Sequence, residues 1–282
     1  MAEILGMVTT SHVPSIGNAI AKGNQDNAYW SPFFNGFKPI HSWIREKKPD
    51  VAVVFYNDHG LNFFLDTMPT FSIGAADQYT NEDEGWGIPT LPPFKGDAHL
   101  SWQIIEGLIE REFDMTTCQK MKVDHAFTLP LKLLWPDEAS CPIITIPICI
   151  NTVQFPLPSA KRCYQLGKAV GEIINAIDSD LKFLIVGTGG LSHQLDGERA
   201  GFINKEFDKE FMNSLISQPD WATKFNNYEL VEQVGTQGIE LIMWLAARAA
   251  LVGQVKNISS TYHVPISNTA GGIMLLEHVG AQ

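Results

Sequence analysis

Short apolar runs that end abruptly in polar residues recur along the chain, and stretches with helical spacing of apolar positions separate them. The run at 51–56 is β-branched and apolar, and Asn-Asp-His-Gly follows it at 57–60. This is the pattern of a buried strand that ends in a sharp turn. The alternation of strand and helix predicts one α/β domain over 1–282, with a central, mostly parallel mixed sheet flanked by helices. Because ligands of such sheets bind beyond the carboxyl ends of strands, we expect the active site at that rim.

The same patterns predict the individual elements. Strands are expected at 4–9, 51–56, 116–123, 143–150, 182–187, 259–263 and 272–277. Helices are expected at 33–48, 97–112, 128–135, 158–177, 204–217, 228–234 and 238–251. Residues 14–32 and 61–96 are predicted to be irregular. A loop as long as the second is usually functional or a lid.

Composition narrows the class of protein. The formal net charge of −11 argues against a nucleic-acid partner, because phosphate binding needs basic patches. The four cysteines form no C-x-x-C pair, which favours reduced thiols in a cytoplasmic protein. The first residues lack a basic region and a cleavage site, and no apolar run approaches the ~20 residues that span a bilayer. We therefore expect neither a signal peptide nor a membrane span.

Four of the eight histidines follow predicted strands within a few residues: His12, His59, His125 and His193. For any single histidine, a surface or hydrogen-bonding role is the ordinary explanation. Four at equivalent positions predict one shared site at the rim, if their strands share a sheet and a direction. His263 also follows a predicted strand, so the pattern is not perfectly selective.

Glu240 is the candidate anionic partner of these histidines, since it lies in a strongly apolar predicted helix. A buried ionised carboxylate costs several kcal/mol unless it is paired or bound to metal. The alternative is that Glu240 faces solvent. Two neutral histidines and one carboxylate form the facial triad of non-haem Fe(II) oxygenases, which leaves positions open for substrate and O₂. The same ligands could bind zinc for hydrolysis.

Two glycine-containing loops complete the candidate chemistry. Gly-Thr-Gly-Gly at 187–190 lacks the spacing of a dinucleotide fingerprint, and its glycines suit a close approach of backbone to a bound ligand. The loop Ser-Asn-Thr-Ala-Gly-Gly at 267–272 offers hydroxyl, amide and backbone N–H groups that suit a carboxylate. Taken alone, the second loop is more typical of an ordinary turn.

Taken together, the ordered motifs resemble the class III (type II) extradiol ring-cleaving dioxygenases. They are Thr10–His12, Asn57–Gly60, Asp124–Pro130 and Gly187–Leu195. Within that family the chain is most similar to the β (catalytic) subunits of protocatechuate 4,5-dioxygenases, which 81–90 and 197–208 also resemble. The resemblance covers essentially the whole chain.

The resemblance implies a role for each candidate residue. It implies that Fe(II) is held by His12, His59 and Glu240. It implies that His193 is the catalytic acid and base, and that His125 is a second active-site histidine that binds and orients the substrate. Asn57 would stand behind the metal ligand His59. The carboxylate of an aromatic acid would meet Ser267 and Asn268.

The implied reaction is the O₂-dependent opening of protocatechuate (3,4-dihydroxybenzoate) at the 4,5 bond, giving 4-carboxy-2-hydroxymuconate semialdehyde. Gallate and O-methylgallate are the alternative substrates within the family. The resemblance also implies a small helical α subunit in an α₂β₂ assembly, for which 61–96 and the aromatic stretch near Tyr29 are candidate contacts. A zinc-dependent hydrolase and a non-enzymatic binding protein on the same fold are the alternatives from other classes.

Overall fold

The computed structural model describes residues 1–279, so the last three residues of the predicted domain lie outside the described part. Eight strands form one sheet in the order β6-β3-β7-β2-β8-β1-β10-β9. In chain order these strands are β1 (Glu3–Thr10), β2 (Val51–Tyr56), β3 (Phe71–Gly74), β6 (Thr116–Cys118), β7 (Ile144–Ile150), β8 (Lys182–Thr188), β9 (Val255–Ile266) and β10 (Thr269–His278). A separate ribbon pairs β4 (Gln78–Tyr79) with β5 (Phe94–Lys95).

The sheet is mixed, with a parallel centre. β7, β2, β8 and β1 run parallel to one another. β3 pairs antiparallel with β7, and β10 pairs antiparallel with both β1 and β9. The carboxyl ends of the four central strands therefore meet at one rim. This confirms the predicted α/β class with a mostly parallel mixed sheet flanked by helices.

Helices cover both faces of the sheet, with one apolar layer beneath each face. They are α1 (Pro14–Ala21), α2 (Ser31–Asn35), α3 (Lys38–Lys47), α4 (Ala98–Glu110), α5 (His125–Leu134), α6 (Ala160–Ala176), α7 (Lys205–Ser217), α8 (Asn227–Val234) and α9 (Leu241–Ala250). Two 3₁₀ turns, Trp221–Lys224 and Gly238–Glu240, precede α8 and α9. Within residues 1–279, no helix is both long and apolar enough to cross a membrane.

The contact between α6 and α9 is close because α6 carries glycines where it meets α9. A Cβ atom at Gly167 would fall 1.9 Å from the Ala246 carbonyl oxygen, and one at Gly171 would fall 2.1 Å from that of Ala250. Only glycine permits so close a backbone approach. On its other side α9 packs closely on β8, where a Cβ at Gly187 would fall 2.8 Å from the Met243 carbonyl oxygen. Glu240 is the residue just before α9.

Three predictions about the first hundred residues were wrong. The expected loop at 14–32 contains α1, which begins with Pro14 in its first turn, where proline needs no N–H partner. The expected helix at 33–48 is two helices, α2 and α3, separated at 36–37. The expected irregular stretch at 61–96 contains β3 and the β4–β5 ribbon, whose strands of two to four residues are too short to show periodicity.

Two further corrections bear on candidate site residues. The expected strand at 116–123 ends at Cys118, and β6 runs antiparallel to the central strands through β3, so its carboxyl end is not at the rim. His125 instead begins α5, three residues before the predicted start, and the Asp124 side chain caps the helix by accepting the Ala126 N–H at 3.0 Å. At the other end of the chain, β9 and β10 form one long hairpin, which places His263 inside β9 rather than after a strand.

Candidate active site

Glu240 lies between two histidines that come from neighbouring parts of the rim. His12 follows β1, His59 follows β2, and Glu240 ends the 3₁₀ turn before α9. The Nε2 atoms of His12 and His59 are each 3.3 Å from a Glu240 carboxylate oxygen, Oε2 and Oε1 respectively. Glu240 is only 5% exposed. The carboxylate therefore faces the site, and not solvent as the alternative had it.

The second nitrogen of each ring already has a partner, which leaves Nε2 free for a metal. His12 Nδ1 is 3.2 Å from the Thr188 hydroxyl, and His59 Nδ1 is 2.8 Å from Oδ2 of Asp124. Metal-binding histidines characteristically donate their other N–H in this way, because the bond fixes the ring and its tautomer. Two imidazole nitrogens and one carboxylate on one side of a cavity fit Fe(II) and also zinc.

The charges of the site favour a cation at its centre. Burial alone would lower the pKa of His59, yet hydrogen bonds to Asp124 and Glu240 hold it well above 6.5. Burial alone would raise the pKa of Glu240, but His12 and His59 keep it well below its usual range. The pKa of His12 is lowered by burial. Two carboxylates around one imidazole thus favour a positive charge, which a divalent metal would supply.

Asn57 contacts the ligand carboxylate as well as the neighbouring histidine. Its side-chain Nδ2 donates to Glu240 Oε1 at 3.2 Å and lies 3.1 Å from His59 Nε2. The residue is 1% exposed, and its Oδ1 is buried with no hydrogen-bond partner within the described chain. The structure therefore places Asn57 behind both Glu240 and His59.

The glycines at 187–190 make room for Glu240. Gly189 has φ +92°, and a Cβ there would fall 2.7 Å from Glu240 Cβ. The backbone N–H of Gly190 donates to Glu240 Oε2 at 3.2 Å. Gly190 also lines the cavity, as the sequence suggested. The group that these glycines allow to come closest is, however, the carboxylate of Glu240 and not a bound ligand.

His193 presents one free nitrogen to the site. Its Nδ1 donates to the Leu191 carbonyl oxygen at 2.9 Å, because a carbonyl can only accept. Its Nε2 lies 4.0 Å from Glu240 Oε2, which is close to the candidate metal ligands but beyond hydrogen-bonding distance of that carboxylate. A ring held this way can take up and return a proton at Nε2 without leaving its place.

His125 stacks on His59, with ring centroids 4.4 Å apart and an angle of 26° between planes. Glu84 holds His125 twice, accepting its backbone N–H at 2.6 Å and lying 2.7 Å from its Nδ1. One nitrogen from each of His12, His59 and His125 lies within 4.8 Å of the others. A set of three histidines is thus a geometric alternative, although Glu240 is the group that lies directly between His12 and His59.

The carboxylate loop predicted at 267–272 is shorter in the structure: only 267–268 form a turn, between β9 and β10, and 269–272 already belong to β10. Ser267 lines the cavity, and its backbone N–H donates to the Tyr29 hydroxyl oxygen at 3.1 Å. Asn268 is exposed and is absent from the cavity lining formed by the described residues. The next residue, Thr269, lines the cavity and is 1% exposed. Thr269 belongs to the predicted loop, but the sequence analysis assigned it no individual role.

These residues surround one cavity of about 290 Å³, near the lower end of the usual range for small-ligand pockets. Its further lining residues are Val13, Pro14, Ser15, Trp86, Leu195 and Gln237. The sequence analysis assigned no role to Glu84, Asp124 or Thr188. All three lie inside stretches that carry the family resemblance: Glu84 in 81–90, Asp124 in Asp124–Pro130 and Thr188 in Gly187–Leu195.

Comparison with known proteins identifies the class. The family described as the catalytic LigB subunit of aromatic ring-opening dioxygenases matches residues 6–272, and the chain belongs to this family. The gallate dioxygenase of Pseudomonas putida is 39% identical over 196 residues, which are 70% of this chain and 57% of that enzyme.

Two further comparisons extend this match. A 2,3-dihydroxyphenylpropionate/2,3-dihydroxicinnamic acid 1,2-dioxygenase of Photorhabdus laumondii is 32% identical, covering 72% of this chain and 60% of that enzyme. The match therefore spans little more than half the length of these two relatives. An enzyme of the same name from Rhodococcus jostii is 27% identical and covers 95% of this chain and 96% of its own length. A solved structure of an uncharacterized Escherichia coli K12 protein shares the fold, with a TM-score of 0.62, 12% identity and coverage of 98% of this chain and 100% of that one.

Proposed function

We propose that this protein is a non-haem Fe(II)-dependent extradiol dioxygenase that opens the ring of a hydroxylated benzoate with O₂. The observation that carries the proposal is the placement of the His12 and His59 Nε2 atoms around Glu240, with the free Nε2 of His193 4.0 Å from the same carboxylate. Membership of the ring-opening dioxygenase family supports the same chemistry.

Gallate is the first candidate substrate, and protocatechuate, the first expectation from the sequence, becomes the second. The relative with 39% identity is a gallate dioxygenase, and the other relatives act on 2,3-dihydroxyphenylpropionate. All three substrates are aromatic rings that carry at least two adjacent hydroxyl groups and a carboxylate. The preference of the enzyme among these substrates would depend on the cavity residues that do not bind the metal.

His12, His59 and Glu240 would hold the iron, with Asn57 and Asp124 fixing two of these side chains. Bound Fe(II) would supply adjacent positions for the diol and O₂ and would lower the pKa of the coordinated hydroxyls. His193 Nε2 accepts the phenolic proton, because Nδ1 is already committed to the Leu191 carbonyl. Its protonated form later returns that proton to the opening ring. His125 orients the diol through its own Nε2, while Glu84 holds its Nδ1.

The carboxylate of the substrate would lie at the β9–β10 turn. Ser267 and Thr269 line the cavity there with hydroxyl groups that can donate to a carboxylate oxygen. Asn268 is the next residue in that turn and would contribute from its exposed position. The turn would thus bind the carboxylate of the substrate, while the histidines would contact its adjacent hydroxyl groups.

A small helical partner chain would cover the mouth of the cavity, in the α₂β₂ assembly that the family resemblance implies. Large apolar side chains at the mouth support a cover: Trp86 is 54% exposed, Leu195 is 56% exposed and Tyr29 is 46% exposed. Activity of the chain assayed alone and with such a partner tests this. Full activity of the chain alone would contradict it.

The test of the function is O₂ uptake by anaerobically Fe(II)-loaded protein with gallate, protocatechuate, 3-O-methylgallate and 2,3-dihydroxyphenylpropionate. We expect stoichiometric O₂ consumption with a semialdehyde or related ring-opened product, fastest with gallate. His193→Phe should bind Fe(II) as the wild type does and turn over no substrate. Full activity of that variant would remove His193 from the mechanism. Ester or amide hydrolysis by zinc-loaded protein, without O₂ uptake by the iron form, would establish the hydrolase instead.

A further inference from the structure

A second carboxylate is buried directly behind the loop that carries His193. Asp208, on α7, is 0% exposed. Its Oδ1 accepts the Ser192 backbone N–H at 3.0 Å, and its Oδ2 accepts the Ser192 hydroxyl at 2.6 Å and the Tyr262 hydroxyl at 2.7 Å. Three donors thus converge on one carboxylate.

A buried carboxylate of this kind lowers the stability of the fold. Within residues 1–279, Asp208 forms no ion pair with lysine or arginine, and burial raises its pKa. An ionised carboxylate without a cation loses its hydration for hydrogen bonds alone, at a cost of several kcal/mol. A neutral side chain of similar size would fill the same space more cheaply. The free-energy cost of burying the Asp208 carboxylate indicates that its hydrogen bonds to Ser192 have a function.

Ser192 is the residue through which that role would act. It lies between Leu191, whose carbonyl oxygen accepts the His193 Nδ1–H, and His193 itself. Its own carbonyl oxygen accepts the Ala270 N–H at 3.0 Å, next to the cavity residue Thr269. Asp208 accepts both donors of Ser192. Its bond to the Ser192 N–H holds the same peptide group whose Leu191 carbonyl oxygen accepts the His193 Nδ1–H.

We propose that Asp208 is the positioning residue for His193, and that it acts by holding both the backbone N–H and the hydroxyl of Ser192. The inference rests on the proposed function, which gives His193 its proton-transfer role. Asp208 shares no proton with the imidazole, because His193 Nδ1 donates to a carbonyl and not to a carboxylate. Through Tyr262 on β9, the same carboxylate ties the His193 loop to the hairpin that carries Ser267 and Thr269.

The test compares Asp208→Asn with wild type, both loaded with Fe(II), on the best substrate of the panel. A displaced acid–base group should cost about 10- to 100-fold in kcat, as misplacements of about 1 Å do, while KM and anaerobic Fe(II) affinity stay within about twofold. A merely structural role would lower the amount of active protein or change Fe(II) affinity, and would leave kcat per bound iron unchanged.

Asp50→Asn is the matched control. Asp50 Oδ2 also accepts a backbone N–H, that of Lys182 at 2.9 Å, but it lies at the amino ends of β2 and β8, away from the cavity. It should leave kcat unchanged. Ser192→Ala removes the hydroxyl bond and should lower kcat in the same way. The double variant should lose little more than Asp208→Asn, because both substitutions break one connection.

The outcomes separate the two proposals. Lack of O₂ uptake by wild type on every substrate overturns the proposed function and this inference with it. An active wild type with unchanged kcat per iron in Asp208→Asn overturns only the inference. If Asp208→Asn does not fold, Ser192→Ala decides: unchanged kcat in that variant overturns the role of Asp208.

Discussion

His59 and His125 stack face to face, and a different carboxylate holds each ring. Asp124 lies 2.8 Å from His59 Nδ1, and Glu84 lies 2.7 Å from His125 Nδ1. The two rings therefore present their remaining nitrogens to one cavity in fixed orientations. Under the proposed function the pairing separates two tasks, since Asp124 would support a metal ligand and Glu84 would support the histidine that orients the substrate.

Glu84→Gln should weaken the hold on His125 and leave the metal site intact. We expect kcat/KM to fall about 10-fold, because the neutral amide replaces a charge-assisted bond with a weaker one. Anaerobic Fe(II) titration should show unchanged affinity. Glu82→Gln is the control, since Glu82 lies two residues away and its side chain is 55% exposed in an ion pair with Lys122. Equal losses in both variants would contradict the role of Glu84.

Asp124→Asn should act on the metal instead. Loss of a carboxylate partner to a metal-binding histidine typically costs about 10- to 100-fold in metal affinity. Asp97→Asn controls for helix capping, because Asp97 caps α4 by accepting the Leu100 N–H at 2.9 Å, far from the rim. Fe(II) affinity that is equal in the two variants would show that Asp124 serves only α5.

Gly189→Ala should displace Glu240. Both Gly189 and Gly197 have positive φ, at +92° and +71°, so alanine costs about 1 kcal/mol of backbone strain at either position. Only at Gly189 would the new Cβ lie 2.7 Å from Glu240 Cβ, whereas the Gly197 position is open. We expect Gly189→Ala to lower Fe(II) affinity at least 10-fold, and Gly197→Ala to leave it unchanged. Similar affinities would mean that the site adapts without loss.

Metal affinity should rise with pH across neutrality. Hydrogen bonds to Asp124 and Glu240 hold the pKa of His59 well above 6.5 in the folded protein, which favours the protonated ring, and a protonated ring must lose its proton to bind metal. The same shift stabilises the metal-free fold, fully below pH 6.5, and this contribution is lost as pH rises through the raised pKa. Calorimetric titration with Zn(II) at about pH 6, 7 and 8 should show progressively tighter binding with proton release. Affinity that is independent of pH would contradict it.

Glu240→Ala decides the identity of the ligand set. Removal of the carboxylate should abolish tight Fe(II) binding, because it contacts the Nε2 atoms of both His12 and His59 at 3.3 Å. Measurement is by anaerobic titration. If His12, His59 and His125 are instead the ligands, the Glu240 variant will keep its affinity, and His125→Ala will lose it.

The sequence by itself determined the α/β class and three of the rim histidines. A strand that ends in a turn is a local pattern, so His12, His59 and His193 could be placed from their own neighbours in the chain. The short elements at 71–95 and the start of α5 could not, because runs of two to four residues carry no period and a helix cap depends on one side chain. The roles assigned to these histidines came from family resemblance rather than from any local pattern.

The tertiary structure decided which polar groups meet. Glycines at 187 and 189 leave room for α9 and for Glu240 beside β8. The apolar pattern around Glu240 left open whether its carboxylate faced the site or solvent. Glu84 meets His125 across 41 positions of sequence, and Asp124 meets His59 across 65. Asp208 is buried behind His193 only because α7 folds over that loop. Side-chain contacts between distant segments depend on how the helices pack on the sheet. The apolar and polar pattern of one segment does not specify that packing, because it depends on all the segments together.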